Sequence, residues 1–141
     1  MSELYIINLQ LSDNIIGYIE VRKICKVLKN NAPLRVLNLS HNKLDYKCAI
    51  EISNALTTNS HLLELDVSYN QIKDEGIAII ILPLAKQRLR AINNVNSIKR
   101  NTNIRIGKLV LTSNCHTHEA LKHVYALLFA DKDIVVDIDL P

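Results

Sequence analysis

Leu34-Arg-Val-Leu37-Asn-Leu39-Ser-His-Asn42-Lys-Leu44 and Leu62-Leu-Glu-Leu65-Asp-Val67-Ser-Tyr-Asn70-Gln-Ile72 are one pattern written twice, 28 residues apart at every matched position. Aliphatics at relative positions 1, 4 and 6 bracket a short strand, because residues two apart in an extended chain share a face. The Asn that follows sits where the chain must turn. Its short amide can bond to neighbouring backbone in a tight loop and, repeated from unit to unit, can satisfy buried polar groups. One such group left unpaired costs about 1–3 kcal/mol, so this Asn is structural first.

The pattern extends in both directions. One period earlier, Ile6-Ile-Asn-Leu9-Gln-Leu11-Ser-Asp-Asn14 fills the template, and a helix follows with Val21, Ile24, Cys25, Val27 and Leu28 expected inward and Arg22, Lys23, Lys26 and Lys29 in solvent. Pro33 discourages helix at Ala32. After Leu62 the next copy is late: Ile106-Gly-Lys-Leu109-Val-Leu111-Thr-Ser-Asn114 fits at an offset of 44 residues, so 16 residues are inserted between Leu84 and Ile106. Leu89, Ile92, Val95 and Ile98 make the insertion an extra or prolonged helix ending near Asn101–Asn103. Pro83, inside the third helical pattern, is expected to kink or stop that helix. A fourth helix with Ala120, Leu121, Val124, Tyr125, Leu127 and Leu128 inward and a closing strand through Val135, Ile138 and Leu140 complete the reading.

Period, strand and outer-helix positions agree. Cys48, Ala49, Ile52, Ser53, Asn54, Ala55 and Leu56 after one strand, and Gly76, Ile77, Ile80, Ile81, Leu82, Pro83 and Leu84 after the next, fall where small residues and leucines are needed on the helix. The chain resembles the leucine-rich repeat family, in its ribonuclease-inhibitor or NOD-like-receptor class. The resemblance implies an α/β solenoid, curved, with parallel strands on the concave side and helices on the convex side. It divides one domain, 1–141, into repeats at about 6–33, 34–61, 62–105 with the basic insertion within 85–105, 106–134, and a closing strand at 135–140.

Composition bounds the rest. At 141 residues, 48% hydrophobic but only 4% aromatic and without Trp, the chain supports one aliphatic core, much of it from 19 Ile. The longest aliphatic run, Ile77–Leu82, is far short of the ~20 residues of a membrane span, and no charged segment precedes an apolar signal region. Cys25, Cys48 and Cys115 are odd in number and unpaired by motif, which argues against a disulfide framework and fits a reducing cytosol. The expected location is cytoplasmic. Richness in Ile, Asn and Lys resembles secreted effectors of intracellular bacteria, which would place the chain in a host cytosol.

Outward-pointing strand residues should form one rigid surface, suited to a protein partner rather than an enclosed small molecule. The candidates are Asn8, Gln10, Val36, Asn38, His41, Glu64, Asp66, Tyr69 and Lys108, with Tyr69 as the anchor. Glu64 and Asp66 share a face, yet on an open surface nothing shifts a pKa toward acid–base work. Cys115, His116, His118 and His123 lack a second metal half-site and read as a surface turn. No catalytic residue, metal or cofactor is expected, and the function implied is non-catalytic protein binding. The alternative is a regulator of an enzyme or small GTPase, or an effector meeting an acidic protein or lipid surface, through Lys86, Arg88, Arg90, Lys99, Arg100 and Arg105; from Gly76 to His118 there is no Asp or Glu. Nucleic acid is not expected, since the segment has no aromatic residue. Neither end has an obvious polar cap, which leaves three readings: ends blunted by Met1–Tyr5 and Asp139–Pro141, an end-to-end homodimer, or truncation from a longer chain.

Overall fold

The computed structural model describes residues 5–30, 32–86, 106–114, 117, 122 and 135–138, and the backbone alone at 87–93. Five strands of three residues each form one parallel sheet in the order β1-β2-β3-β4-β5: β1 Asn8–Gln10, β2 Val36–Asn38, β3 Glu64–Asp66, β4 Lys108–Val110 and β5 Val135–Asp137. Three helices, α1 Tyr18–Lys29, α2 Tyr46–Leu56 and α3 Lys73–Asn93, return the chain between the first four. Sheet and helices are the two layers of an α/β leucine-rich-repeat solenoid, as the period requires. Each strand–helix unit is one coil.

The helices start where local chemistry caps them. Glu20 accepts the Gly17 N–H at 3.0 Å, and this bond holds its carboxyl below the ordinary value. Asp45 accepts the Cys48 N–H at 3.1 Å at the head of α2. Inward faces then meet the sheet: Val21, Cys25 and Leu28 from α1, Cys48, Ile52 and Leu56 from α2, and Ile77, Ile80 and Ile81 from α3 pack against Leu37, Leu65 and Leu109 of the strands. Gly76 lets α3 approach α2, since a Cβ there would stand 2.5 Å from Ile72 Cγ2 and 3.2 Å from Ala49 Cβ.

The register is that of the repeat. Val36 pairs with Glu64, 28 residues on, and Glu64 with Lys108, 44 residues on. The insertion is therefore absorbed without disturbing the sheet. Part of it prolongs α3 to 21 residues, against 12 and 11 for α1 and α2. Residues 94–105, including Asn101–Asn103, lie outside the described residues, as do the inward positions expected of a fourth helix.

Two expectations are corrected and one is narrowed. Of the kink or stop expected at Pro83, the stop does not occur: α3 continues ten residues beyond it, and buried Ile80, Ile81, Leu84 and Ala85 on either side hold the helix against the loss of one backbone donor. Val27 is not inward but 59% exposed, because it lies beside the inward stripe of Val21, Cys25 and Leu28, on the side where none of the described coils stacks. The same end effect leaves Ile6 67% exposed while Leu34, at the same repeat position, is 6% exposed. Finally, β5 pairs two residues out of the expected register: Leu109 meets Val136, Val110 meets Asp137, and Val135 faces outward. A slip of two preserves the faces of a strand, so Val136 and Ile138 still point to the core.

Strands this short rest on the turns beyond them. Asn42 donates from Nδ2 to Leu39 O and Ser40 O of its own turn and to Leu11 O of the preceding coil, at 2.9–3.0 Å, while its Oδ1 accepts the Ile16 N–H at 3.0 Å. Asn70 repeats the set with Val67 O, Ser68 O, Leu39 O and Leu44 N–H. Asn114 does so with Leu111 O, Thr112 O, Val67 O and Ile72 N–H. Asn14, in the first coil, bonds only its own turn and is exposed. A second staple passed unread in the sequence: buried Asn59 donates to Leu28 O at 3.0 Å and Ala32 O at 3.2 Å, and accepts the Leu62 N–H at 2.9 Å.

Asn70→Ala strands buried carbonyls and an amide in two coils and should cost about 3 kcal/mol or more in urea unfolding, while Asn14→Ala should cost under about 1 kcal/mol. Burial raises the Cys25 thiol to about 12 and the Cys48 thiol to about 11. Unfolded thiols ionise near ~8.5, so between that value and the folded ones the unfolded chain holds fewer protons and stability must fall as pH rises. Ellman's reagent at pH ~8 should leave Cys25 and Cys48 unmodified in the native chain and modify both in urea.

Candidate interaction face

The outward residues of the strands form two rows across the sheet. One is Asn8, Val36, Glu64, Lys108 and Val135; the other is Gln10, Asn38, Asp66, Val110 and Asp137. Every sequence-predicted strand residue thus lies on one face. Between the rows runs a shallow depression of about 180 Å³, lined by Gln10, Val36, Asn38, Glu64, Asp66, Lys108 and Val110. The two rows carry Glu64, Asp66 and Asp137 against Lys108, an acidic balance with the single cation set directly beside Glu64 in the register.

The candidates are not equally available. Glu64 and Lys108 are exposed. Asp66 is half-buried and commits Oδ1 to the Ser68 N–H at 2.9 Å and the Ser68 hydroxyl at 2.6 Å. Asn38 likewise accepts the Ser40 N–H at 2.9 Å. Both side chains belong to the turn as much as to the surface. Gln10 donates to Asn8 Oδ1 at 2.7 Å, so the first strand spends its polar groups on itself. Ser40 and Ser68, although they follow outward positions, are buried.

One residue beyond this position, held by Ser12, Ser40, Ser68 and Thr112, the backbone turns left-handed. Asp13, His41, Tyr69 and Ser113 hold φ of 57°, 53°, 52° and 53°, four non-glycine residues at one repeat position. This conformation is sparsely populated outside glycine. It persists because the N–H of each of the first three bonds the next coil: Asp13 to Ser40 O, His41 to Ser68 O, Tyr69 to Thr112 O, at 2.9–3.2 Å. The side chains consequently stand in file along the rim of the sheet. The His41 and Tyr69 rings stack with centroids 4.1 Å apart and planes 10° from parallel, and His41 Nδ1 lies 3.9 Å from Asp13 Oδ1. The motif template shows that both rings follow the serine; their stacking was not legible, because it depends on the distance between coils.

The basic insertion is only partly in view. Lys86 is exposed on α3; the side chains of Arg88 and Arg90, and Lys99, Arg100 and Arg105 entirely, lie outside the described residues. So do Cys115, His116, His118 and His123. Among the described residues no three His, Cys, Asp or Glu are grouped to hold a metal ion, and no helix is long and apolar enough to cross a membrane.

Comparison with known proteins agrees with this architecture. The family profile described as Leucine Rich repeat matches residues 30–53 and 58–78. Human NACHT, LRR and PYD domains-containing protein 3 is 36% identical over 77 residues, 54% of this chain and 7% of that protein. Bovine NACHT, LRR and PYD domains-containing protein 5 is 32% identical over 81 residues, 57% of this chain and 7% of that protein. The chain thus spans about 7% of the length of these curated relatives. Among solved structures, Leiomodin-1 Actin-Binding Site 2 superposes with a TM-score of 0.75 over 95% of this chain and 70% of that one, at 15% identity, which is a likeness of fold. A 28-residue period carried by parallel strands and bridged from the second coil on by buried asparagines, together with the matching profile, is the leucine-rich-repeat architecture, and its repeats are similar in sequence to those of these NOD-like-receptor-class relatives.

Proposed function

We propose that this chain is a non-catalytic interaction module that takes a partner protein on its concave strand face. The partner contacts the exposed groups Asn8, Gln10, Glu64 and Lys108, with half-buried Val36, Asn38 and Asp66 at the floor and the His41–Tyr69 pair at the rim. The observation that carries this reading is the stacked pair: two rings held in file by left-handed backbone, exposed, beside an acidic strand surface. A residue that keeps such a conformation loses little side-chain freedom on association. Exposed Tyr brings both apolar area and a hydroxyl to a contact, the combination that dominates binding energy at interfaces.

The shallowness of the depression supports a protein over a small molecule, since about 180 Å³ is below the usual range for enclosed ligands. The acidic balance of the two rows suits a partner surface that is net basic, with Lys108 marking where one carboxylate of that partner would meet the sheet.

Tyr69→Ala and Glu64→Lys should both leave the fold within about 1 kcal/mol of wild type, since both side chains are exposed. Photocrosslinking groups placed at positions 69 and 64 should give the same discrete adduct in a cell extract, and one at Asn54, on the helical side, should not. Tyr69→Ala should weaken capture of that protein by roughly thirtyfold. An adduct of equal yield at Asn54, or capture unchanged by both substitutions, refutes the concave-face assignment.

A further inference from the structure

The helical side of the solenoid carries a feature that the repeat does not require. On α1 the inward stripe of Val21, Cys25 and Leu28 is buried, and the opposite, solvent face presents Arg22, Lys23 and Lys26 around Ile19, which is 65% exposed. Ile19 and Arg22 have repeat equivalents on α2 in Lys47 and Ile50, both exposed, so cation and aliphatic exchange places from one helix to the next. The outer surface of these two coils is therefore a checkerboard of cations and exposed isoleucines. Its charge is only partly neutralised locally: α1 holds four basic residues and one acid, Glu20, which accepts the Gly17 N–H and lies in the field of Lys23. The one acid of α2, Glu51, is taken up by Lys29 at 2.9 Å, so α1 keeps an excess of cations.

We infer that the outer face of α1 and α2 docks on an anionic lipid bilayer, with Ile19 and Ile50 entering the headgroup region and Arg22, Lys23, Lys26 and Lys47 meeting lipid phosphates and carboxylates. Charge complementarity selects an anionic partner. The type of cation selects lipid over an acidic protein: three of the four are lysines, which are depleted from protein interfaces and lack the planar fork that fixes a carboxylate. Lysines instead keep their heads in the headgroup layer while their stems cover apolar surface. The two isoleucines are separated by cations rather than gathered in a groove, the arrangement of a surface that enters an interface shallowly. This face lies across the solenoid from the strands. Docking turns the acidic concave side to solvent, where an anionic surface would repel it, so bilayer attachment and partner binding use opposite sides of one domain.

Co-sedimentation with phosphatidylcholine vesicles, with and without phosphatidylserine, tests the inference directly. The full chain should sediment with the phosphatidylserine vesicles, stay in solution with phosphatidylcholine alone, and lose binding as salt is raised through physiological strength. Lys23→Gln with Lys26→Gln should lower the bound partition coefficient by roughly tenfold or more, and Ile19→Ser by several-fold. Lys43→Gln, in the turn between β2 and α2, should leave it within about twofold. All four positions are exposed, and circular dichroism checks that the variants fold. Failure of the wild type to sediment, equal binding to both vesicle types, binding indifferent to Lys23, Lys26 and Ile19, or an effect of Lys43 as large as theirs overturns the assignment; the first result, with binding to an immobilised acidic protein, would give the face to a protein partner.

Discussion

The amide of a buried asparagine is what this structure depends on. At each turn the chain leaves a three-residue strand with carbonyls that point into the space between coils, and the side chain of Asn42, Asn70 or Asn114 answers them while accepting an N–H from the coil before. The group must offer two donors and an acceptor from a single short stem. Aspartate would offer only acceptors, and glutamine would place the same groups one methylene too far. Because each amide reaches back into the preceding coil, it fixes the spacing between coils as well as the shape of its own turn.

The rest of the interaction face follows from that spacing. A turn bonded to the next coil, and from the second coil on to the preceding one as well, can hold Asp13, His41 and Tyr69 in left-handed backbone, which is sparsely populated outside glycine. Held there, successive side chains repeat at the interval of the coils, which lets the His41 and Tyr69 rings meet face to face. The strain is local and the frame that opposes it is distributed. The same economy appears in Asn38 and Asp66, outward residues whose oxygens close the turn beneath them.

Stacking also sorts the molecule's surfaces. Inner coils cover their leucines from both sides, while the first coil leaves Ile6 and Val27 open and Leu9 and Leu11 partly so. Carboxylates collect on the strand side at Glu64, Asp66 and Asp137, and cations on α1 at Arg22, Lys23 and Lys26. The two faces of this domain thus present opposite charge.

The sequence by itself determined the period, the strands at 28 and 44 residues, the inward leucines and the residues that share the concave face, because these follow from spacing along one chain. It overreached at Val27 and misplaced β5 by two residues, and of the kink or stop at Pro83 the stop did not occur. Each of those outcomes turns on what lies against the segment: flanking burial carries α3 through its proline, the first described coil leaves Val27 in solvent, and parity admits Val136 where Ile138 was expected. Only the tertiary structure decided that Asn59 staples two coils, that Asp66 and Asn38 serve their turns, and that His41 lies on Tyr69. These are contacts between residues 27 or more apart or bonds set by turn geometry, and the distances that make them belong to the stack of coils rather than to any one stretch of chain.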